Sequence, residues 1–158
     1  MDDRLLRRIG AAGTPLILTV LLMPCVSDAE LTVDLFHKNM PPSLETLERV
    51  DSVLAVFEDA VRVSYHLITD PAEAELISAH GLPQTHFPFA VVVGGSFSAE
   101  LEGRRVDFVH FPLLMHGIGR HEGNWSLEDL AAVLADPSLM LEESTLPDIE
   151  EGEACPDE

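Results

Sequence analysis

A continuous apolar run near the middle of the chain limits what the chain can fold into. Residues 89–93 read Phe-Ala-Val-Val-Val and lie between Pro88 and the pair Gly94-Gly95. A run of this length without polar alternation is typical of a strand buried on both faces. Both faces of such a central strand need apolar cover, so the run predicts an α/β fold in which helices flank a sheet.

The segments before this run alternate between strand and helix patterns. Residues 31–37 and 61–68 are rich in β-forming side chains, which predicts two strands. Between them, apolar residues recur at helical spacing over residues 44–57, and Ser43 is a suitable N-cap for that helix. A second helix is predicted over residues 70–80, with an acidic cap and a proline in its first turn.

The segments after the run predict two antiparallel strands and a last helix. The glycine pair favours a turn, and the strands are expected over residues 97–101 and 105–111. The helix is expected over residues 126–135, with Ser126 as its N-cap. Trp125, the only tryptophan, is expected to pack against the first turn of that helix.

Both ends of the chain differ in composition from the middle. Residues 1–29 combine early arginines, an apolar stretch and the small residues Ser27 and Ala29, which predicts a cleaved export signal and a periplasmic protein. The alternative is an uncleaved membrane anchor, which Pro15 and Pro24 disfavour. Residues 30–140 form the predicted domain. Residues 141–158 contain eight acidic side chains and no basic one, and are expected to form an acidic disordered tail.

Cysteine content and charge exclude several functions. The chain has two cysteines, Cys25 and Cys155, and signal cleavage leaves Cys155 alone. A single cysteine cannot form a disulfide within one chain or cycle a dithiol. The net charge of −19 disfavours binding to nucleic acid, and it disfavours anionic membrane surfaces unless the N-terminal segment stays uncleaved as an anchor.

The order of predicted elements, together with two local stretches, resembles the thioredoxin-like superfamily over residues 30–136. Residues 33–39 are similar to the strand that leads into the family's redox turn. Residues 81–95 are similar to the segment that carries its cis-proline. The resemblance implies a three-layer fold with a mixed central sheet. It implies that residues 40–43 stand in the place of the redox tetrapeptide and that Pro88 follows a cis bond.

The resemblance also implies where a partner protein binds. The expected contact residues are Met40, Pro41, Pro42, Ser43, Phe87 and Pro88. Neither methionine nor serine supplies the thiolate that disulfide exchange needs, so no enzymatic activity of that kind is expected. The sequence therefore predicts an exported, redox-inactive protein-binding or assembly module without a cofactor.

Histidine and methionine residues suggest an alternative function in copper or zinc binding or delivery. The first candidate ligand set is His110, Met115, His116 and His121. The second, for Cu(I), is His37, Met40 and His86. Imidazole and thioether groups are suitable ligands for copper, and histidines alone for zinc. The alternative for the first set is that these residues belong to a loop with a structural role. The alternative for the second set is that Met40 fills an apolar gap on a binding surface.

Overall fold

The described structure begins with alternating strands and helices and continues with three successive strands and a last helix. The computed structural model describes residues 30–83, 87–115 and 122–146. The elements are β1 (Leu31–His37), α1 (Pro41–Leu54), β2 (Val61–Leu67), α2 (Ala74–Ala79), β3 (Phe89–Val93), β4 (Ser98–Leu101), β5 (Arg104–Asp107) and α3 (Leu127–Ala135). The predicted signal at residues 1–29 lies outside the described residues. None of the described helices is both long and apolar enough to cross a bilayer.

The main sheet has the strand order β2-β1-β3. β1 pairs in parallel with β2 along its full length and pairs antiparallel with β3. On the other side of β3, Val91 N donates to Phe108 O at 2.9 Å. His110 N donates in turn to Phe89 O at 2.8 Å. Every residue of β3 is buried. The prediction of a central strand buried on both faces is therefore confirmed.

β4 and β5 form a separate antiparallel hairpin. The sequence predicts a strand that continues to Phe111, but β5 ends at Asp107. Phe108 N still donates to Phe97 O, and the chain then changes direction at His110, where φ is +69°. A positive φ lies outside the strand region and is rare for residues other than glycine. The predicted strand therefore divides in two: β5 ends at Asp107, and residues 108–110 run beside β3 before the chain turns at His110.

Successive residues of β1 and β3 point to opposite sides of the sheet, so both faces carry apolar side chains. Helices cover both faces. On one face, α1 and α3 cover a core that includes Val33, Leu35, Val50, Leu54, Val91, Leu130 and Val133. On the other face, α2 and the segments around it cover a core that includes Phe36, Ile77, Leu82, Phe87, Val92 and Phe97. The described residues thus form a mixed α/β protein with helices on both faces of a small mixed sheet.

The start of α1 differs from the prediction. The helix begins at Pro41, and Met40 occupies the N-cap position without a side-chain hydrogen bond. Ser43, the predicted N-cap, lies inside the first turn. Pro41 and Pro42 stand at the first positions of the helix, where a missing N–H has no cost because the first amides of a helix have no partner inside it. Ser43 is therefore available for a different role.

The other two helix starts agree with the prediction. Asp70 Oδ1 accepts a hydrogen bond from Ala72 N at 2.9 Å, at the start of the 3-10 turn Pro71–Glu73 that leads into α2. Ser126 Oγ accepts from Asp129 N at 3.1 Å, and the Asp129 carboxylate accepts from Ser126 N at 2.8 Å. These two bonds form a reciprocal capping box, which satisfies two amides at the start of α3.

The packed part of the chain extends beyond the predicted boundary at residue 140. Leu141 N donates to Ser98 O at 2.9 Å. Ser144 Oγ accepts from Phe97 N at 2.9 Å, and Leu146 packs against the core on the α2 side. Residues 141–146 therefore belong with the domain rather than with an acidic tail. The rest of that predicted tail, residues 147–158 with Cys155, lies outside the described residues.

Trp125 has a larger role than the one predicted for it. Its side chain is 0% exposed, and its ring stacks on Phe89 at a centroid distance of 6.5 Å and meets Phe108 edge to face at 5.4 Å. Trp125 Nε1 also donates to His110 O at 3.3 Å. The side chain thus joins the loop before α3 to the central strand and to the segment beside it.

Replacement of Trp125 by alanine is expected to lower the free energy of unfolding by roughly 3–5 kcal/mol, because a large buried side chain leaves a cavity that the core cannot close. The Trp125→Phe variant keeps much of the ring contact and should lose clearly less. Urea unfolding followed by far-ultraviolet circular dichroism measures both. Equal stability of the alanine variant and the parent would contradict this account of the core.

Candidate functional site

Several segments meet at one end of the main sheet. β1 ends at His37, which pairs with Phe89 at the start of β3. The turn after His37 leads through Lys38 into α1, and residues 87–88 lead into β3. Because β1 and β3 are antiparallel, the end of one and the start of the other lie side by side. This end of the sheet therefore carries both stretches of the predicted binding surface.

Ser43 links these segments. Its hydroxyl donates to Pro88 O at 2.6 Å and accepts from Lys38 N at 3.1 Å. The side chain is 0% exposed, the bond to Pro88 O is buried, and the bond from Lys38 N is partly buried. A buried hydroxyl is stable only when it is hydrogen-bonded. Ser43 thus joins the turn after β1, the first turn of α1 and the loop before β3.

The predicted contact residues fall into an exposed group and a buried group. Met40 is 38% exposed, and Pro41 is exposed with Pro42 half-buried beside it. The other three, Ser43, Phe87 and Pro88, are buried. They support the surface and do not form it. Leu44, which is 42% exposed, extends the exposed group and was missed, since its place in the helical apolar pattern predicts a core residue.

The prediction of a cis bond before Pro88 is wrong. The described residues contain no cis peptide bond, so Phe87-Pro88 is trans. The register still brings this loop to α1, because Phe89 pairs with His37 and places Pro88 O against Ser43. The chain bends at Pro88 and enters β3 through a trans bond. The alignment of Pro88 with the family's cis-proline therefore fails, whereas the predicted proximity of the two segments is confirmed.

The two candidate metal sites are only partly described. His116, His121 and His86 lie outside the described residues. His110 lies where the chain turns beside β3, with its N–H bonded to Phe89 O. Met115 follows on a turn in which its N–H donates to Pro112 O at 3.3 Å. Within the part of the chain that the structure describes, no three His, Cys, Asp or Glu side chains are arranged to hold a metal ion.

Of the second candidate set, the structure describes His37 and Met40. His37 is half-buried at the end of β1, and its Nδ1 is buried without a hydrogen-bond partner among the described residues. Met40 is exposed one turn away. The copper and zinc hypotheses thus stay predictions.

A polar cluster on the α2 face was missed by sequence reasoning. His66 Nδ1 lies 3.0 Å from Glu73 Oε2, and His66 Nε2 lies 3.2 Å from Asp34 Oδ1. His80 Nε2 lies 3.9 Å from the other Asp34 oxygen. The His66 ring also stacks on Phe36 at a centroid distance of 4.9 Å. The parallel register that pairs Phe36 with His66 has no local sequence signal, which is why the cluster was not predicted.

The cluster joins three parts of the fold. His66 lies on β2, Asp34 on β1 and Glu73 in the 3-10 turn that leads into α2. The two contacts of the His66 ring therefore tie both strands to the segment that covers this face of the sheet.

The Ser43→Ala variant is expected to lower the free energy of unfolding by about 1–3 kcal/mol, because it removes the donor to Pro88 O and the acceptor for Lys38 N at a buried site. Ser52→Ala is a matched control, since its exposed hydroxyl bonds only within α1. Chemical unfolding of both variants measures the difference. If the Ser43→Ala protein is as stable as the Ser52→Ala protein, the hydrogen bonds of Ser43 contribute nothing to the free energy of unfolding.

Comparison with models of known protein families, with curated proteins and with solved structures finds no match to this chain. No family is therefore shown by similarity. What the protein does has to be inferred from its own residues and their contacts.

Proposed function

We propose that the protein is an exported, redox-inactive thioredoxin-like domain that serves as a protein-binding or assembly module. Its contact surface is the exposed start of α1, formed by Met40, Pro41 and Leu44. Support for the thioredoxin-like assignment comes from the sheet order β2-β1-β3, in which the first pair is parallel and the second antiparallel, and from the helices on both faces. The trans bond at Pro88 departs from the family pattern.

The observation that carries the proposal is the hydrogen bond from Ser43 Oγ to Pro88 O. In redox members of the family the corresponding region brings a reactive turn and a substrate-binding loop together. Here the same two segments are fixed by a buried hydroxyl, which has no thiolate chemistry. The contact thus holds Met40 and Leu44 on a rigid base, and a preorganised surface loses less entropy when it binds a partner.

Charge supports the same surface. Each described arginine is ion-paired: Arg49 with Glu45, Arg62 with Glu30, Arg104 with Asp129 and Arg105 with Asp107. Lys38, the only lysine of the chain, has no acidic partner among the described residues and lies in the turn before Met40. The surface therefore combines exposed apolar side chains with a cation on a protein of net charge −19. A partner with an apolar contact patch and an acidic group fits it.

The native protein is expected to capture partner proteins from the cell envelope, and the double variant Met40→Asp/Leu44→Asp is expected to lose them. The reason is that two apolar side chains that the partner would bury become charged. Val56→Asp is the matched control, since Val56 is 78% exposed just beyond the opposite end of α1. Capture followed by mass spectrometry compares the three proteins. Equal loss in both variants, or loss in neither, would contradict the assignment of this surface. Stoichiometric copper or zinc binding that His116→Ala abolishes would instead favour the metal function.

A gain-of-function experiment tests the family assignment separately. In a Cys155→Ser background, Met40→Cys/Ser43→Cys places two thiols at the N-cap and third positions of α1, close enough for a disulfide if this is the redox turn. We expect the variant to form an internal disulfide and to accelerate insulin reduction by dithiothreitol, whereas the native protein does not. Two free thiols that never pair, or catalysis by the native protein, would contradict the proposal.

A further inference from the structure

The outer edge of β2 is open within the described residues. β2 pairs with β1 alone there. Leu31 N donates to Ala60 O, and Ile68 N donates to His37 O. In a parallel ladder alternate residues bond to the same neighbour, so the even residues of β2 turn their N–H and C=O groups toward β1. The odd residues, which include Val63, turn theirs away from β1.

A groove of about 270 Å³ lies beside this edge, between β2 and the last turns of α1. Its apolar lining is formed by Leu54, Ala55, Val61 and Val63. The side chains of Val61 and Val63 reach it because the odd residues of β2 point toward α1. The odd residues of β2 thus supply both the outward-facing backbone groups and the side chains that line the groove.

The polar part of the groove is acidic. Asp51 and Glu58 line it, and no basic residue does. Tyr65, the only tyrosine, also lines it and donates its hydroxyl to Asp51 Oδ1 at 3.0 Å. Burial, followed by the hydrogen bond and charge of Asp51, raises the pKa of Tyr65, so the phenol stays a neutral donor. Arg62 cannot neutralise this rim, because it points to the other face and pairs with Glu30.

We propose that β2 and this groove bind an extended basic segment of a partner protein, which adds as a strand along the open edge. Main-chain hydrogen bonds to the odd residues of β2 hold the added strand. Alternate lysine or arginine side chains enter the groove, where their aliphatic stems cover Val63 and Ala55 and their charged ends reach Asp51 and Glu58. This surface is independent of the one at Met40.

Charge selects this occupant over a second copy of the chain. Two copies paired through β2 would bring two acidic grooves together on proteins of net charge −19 each, and like charges repel. A basic strand meets both needs of the site, since it supplies backbone partners for the edge and cations for the rim. An acidic or neutral strand meets only the first.

The test measures binding of the protein to a nine-residue peptide that alternates lysine with valine and threonine, and to a peptide in which glutamate replaces lysine. Asp51→Asn/Glu58→Gln should weaken binding of the lysine peptide about tenfold or more, because two charge contacts are lost. Glu100→Gln/Glu128→Gln removes the same charge from exposed sites on β4 and α3, and should change the affinity less than about twofold.

Hydrogen exchange identifies the binding mode. The bound peptide should protect the amides of Val63, Tyr65 and Leu67, whereas those of Ser64 and His66 are already bonded to β1 and should change little. A second lysine peptide, in which alternate amides are N-methylated, tests whether the peptide adds as a strand. It lacks backbone N–H donors at those positions, so it should not bind. Equal weakening in both double variants, equal binding of the glutamate peptide, or no protection of the odd amides would each overturn the proposal.

Discussion

The structure depends on β1, which among the described strands is the one that pairs on both sides with another strand of the main sheet. Its hydrogen bonds join β2 in parallel and β3 antiparallel, and Val33, Leu35 and Phe36 place fully buried side chains on both faces. The strand therefore orients everything around it. Its end at His37 brings the turn before α1 against the start of β3. On its other side it pairs with β2, which is the outer strand of the sheet among the described residues and turns alternate backbone groups away from β1.

A second constraint is the buried hydroxyl of Ser43, which lies in the first turn of α1 beside the end of β1. A hydroxyl both donates and accepts hydrogen bonds, so Ser43 joins Lys38 N and Pro88 O from one buried position. These two bonds hold the start of α1 against the loop before β3. Met40 and Leu44, the exposed residues at this end of the helix, belong to the contact surface that we propose.

The sequence predicts the features whose causes are local. The apolar run of β3, the capping box of Ser126 and the Asp70 cap all arise from residues within a few positions of one another, and all are present. The errors concern distant partners. Residues 141–146 are held by Ser96, Phe97 and Ser98 more than forty positions away, so their acidic composition alone predicts a tail. Ser43 has the local pattern of an N-cap, yet two prolines start the helix earlier and a loop 45 residues away supplies its partner.

The two proposed surfaces lie at opposite ends of α1. Met40 precedes its first residue, while Leu54 and Ala55 follow its last turn and line the groove beside β2. A helix of 14 residues is about 21 Å long at 1.5 Å per residue, so a partner at one end need not exclude a partner at the other. The surfaces also differ in charge, since Lys38 lies near the first, and Asp51 and Glu58 line the second. Under the two proposals, the domain binds two chemically different proteins at the same time, as an assembly module would.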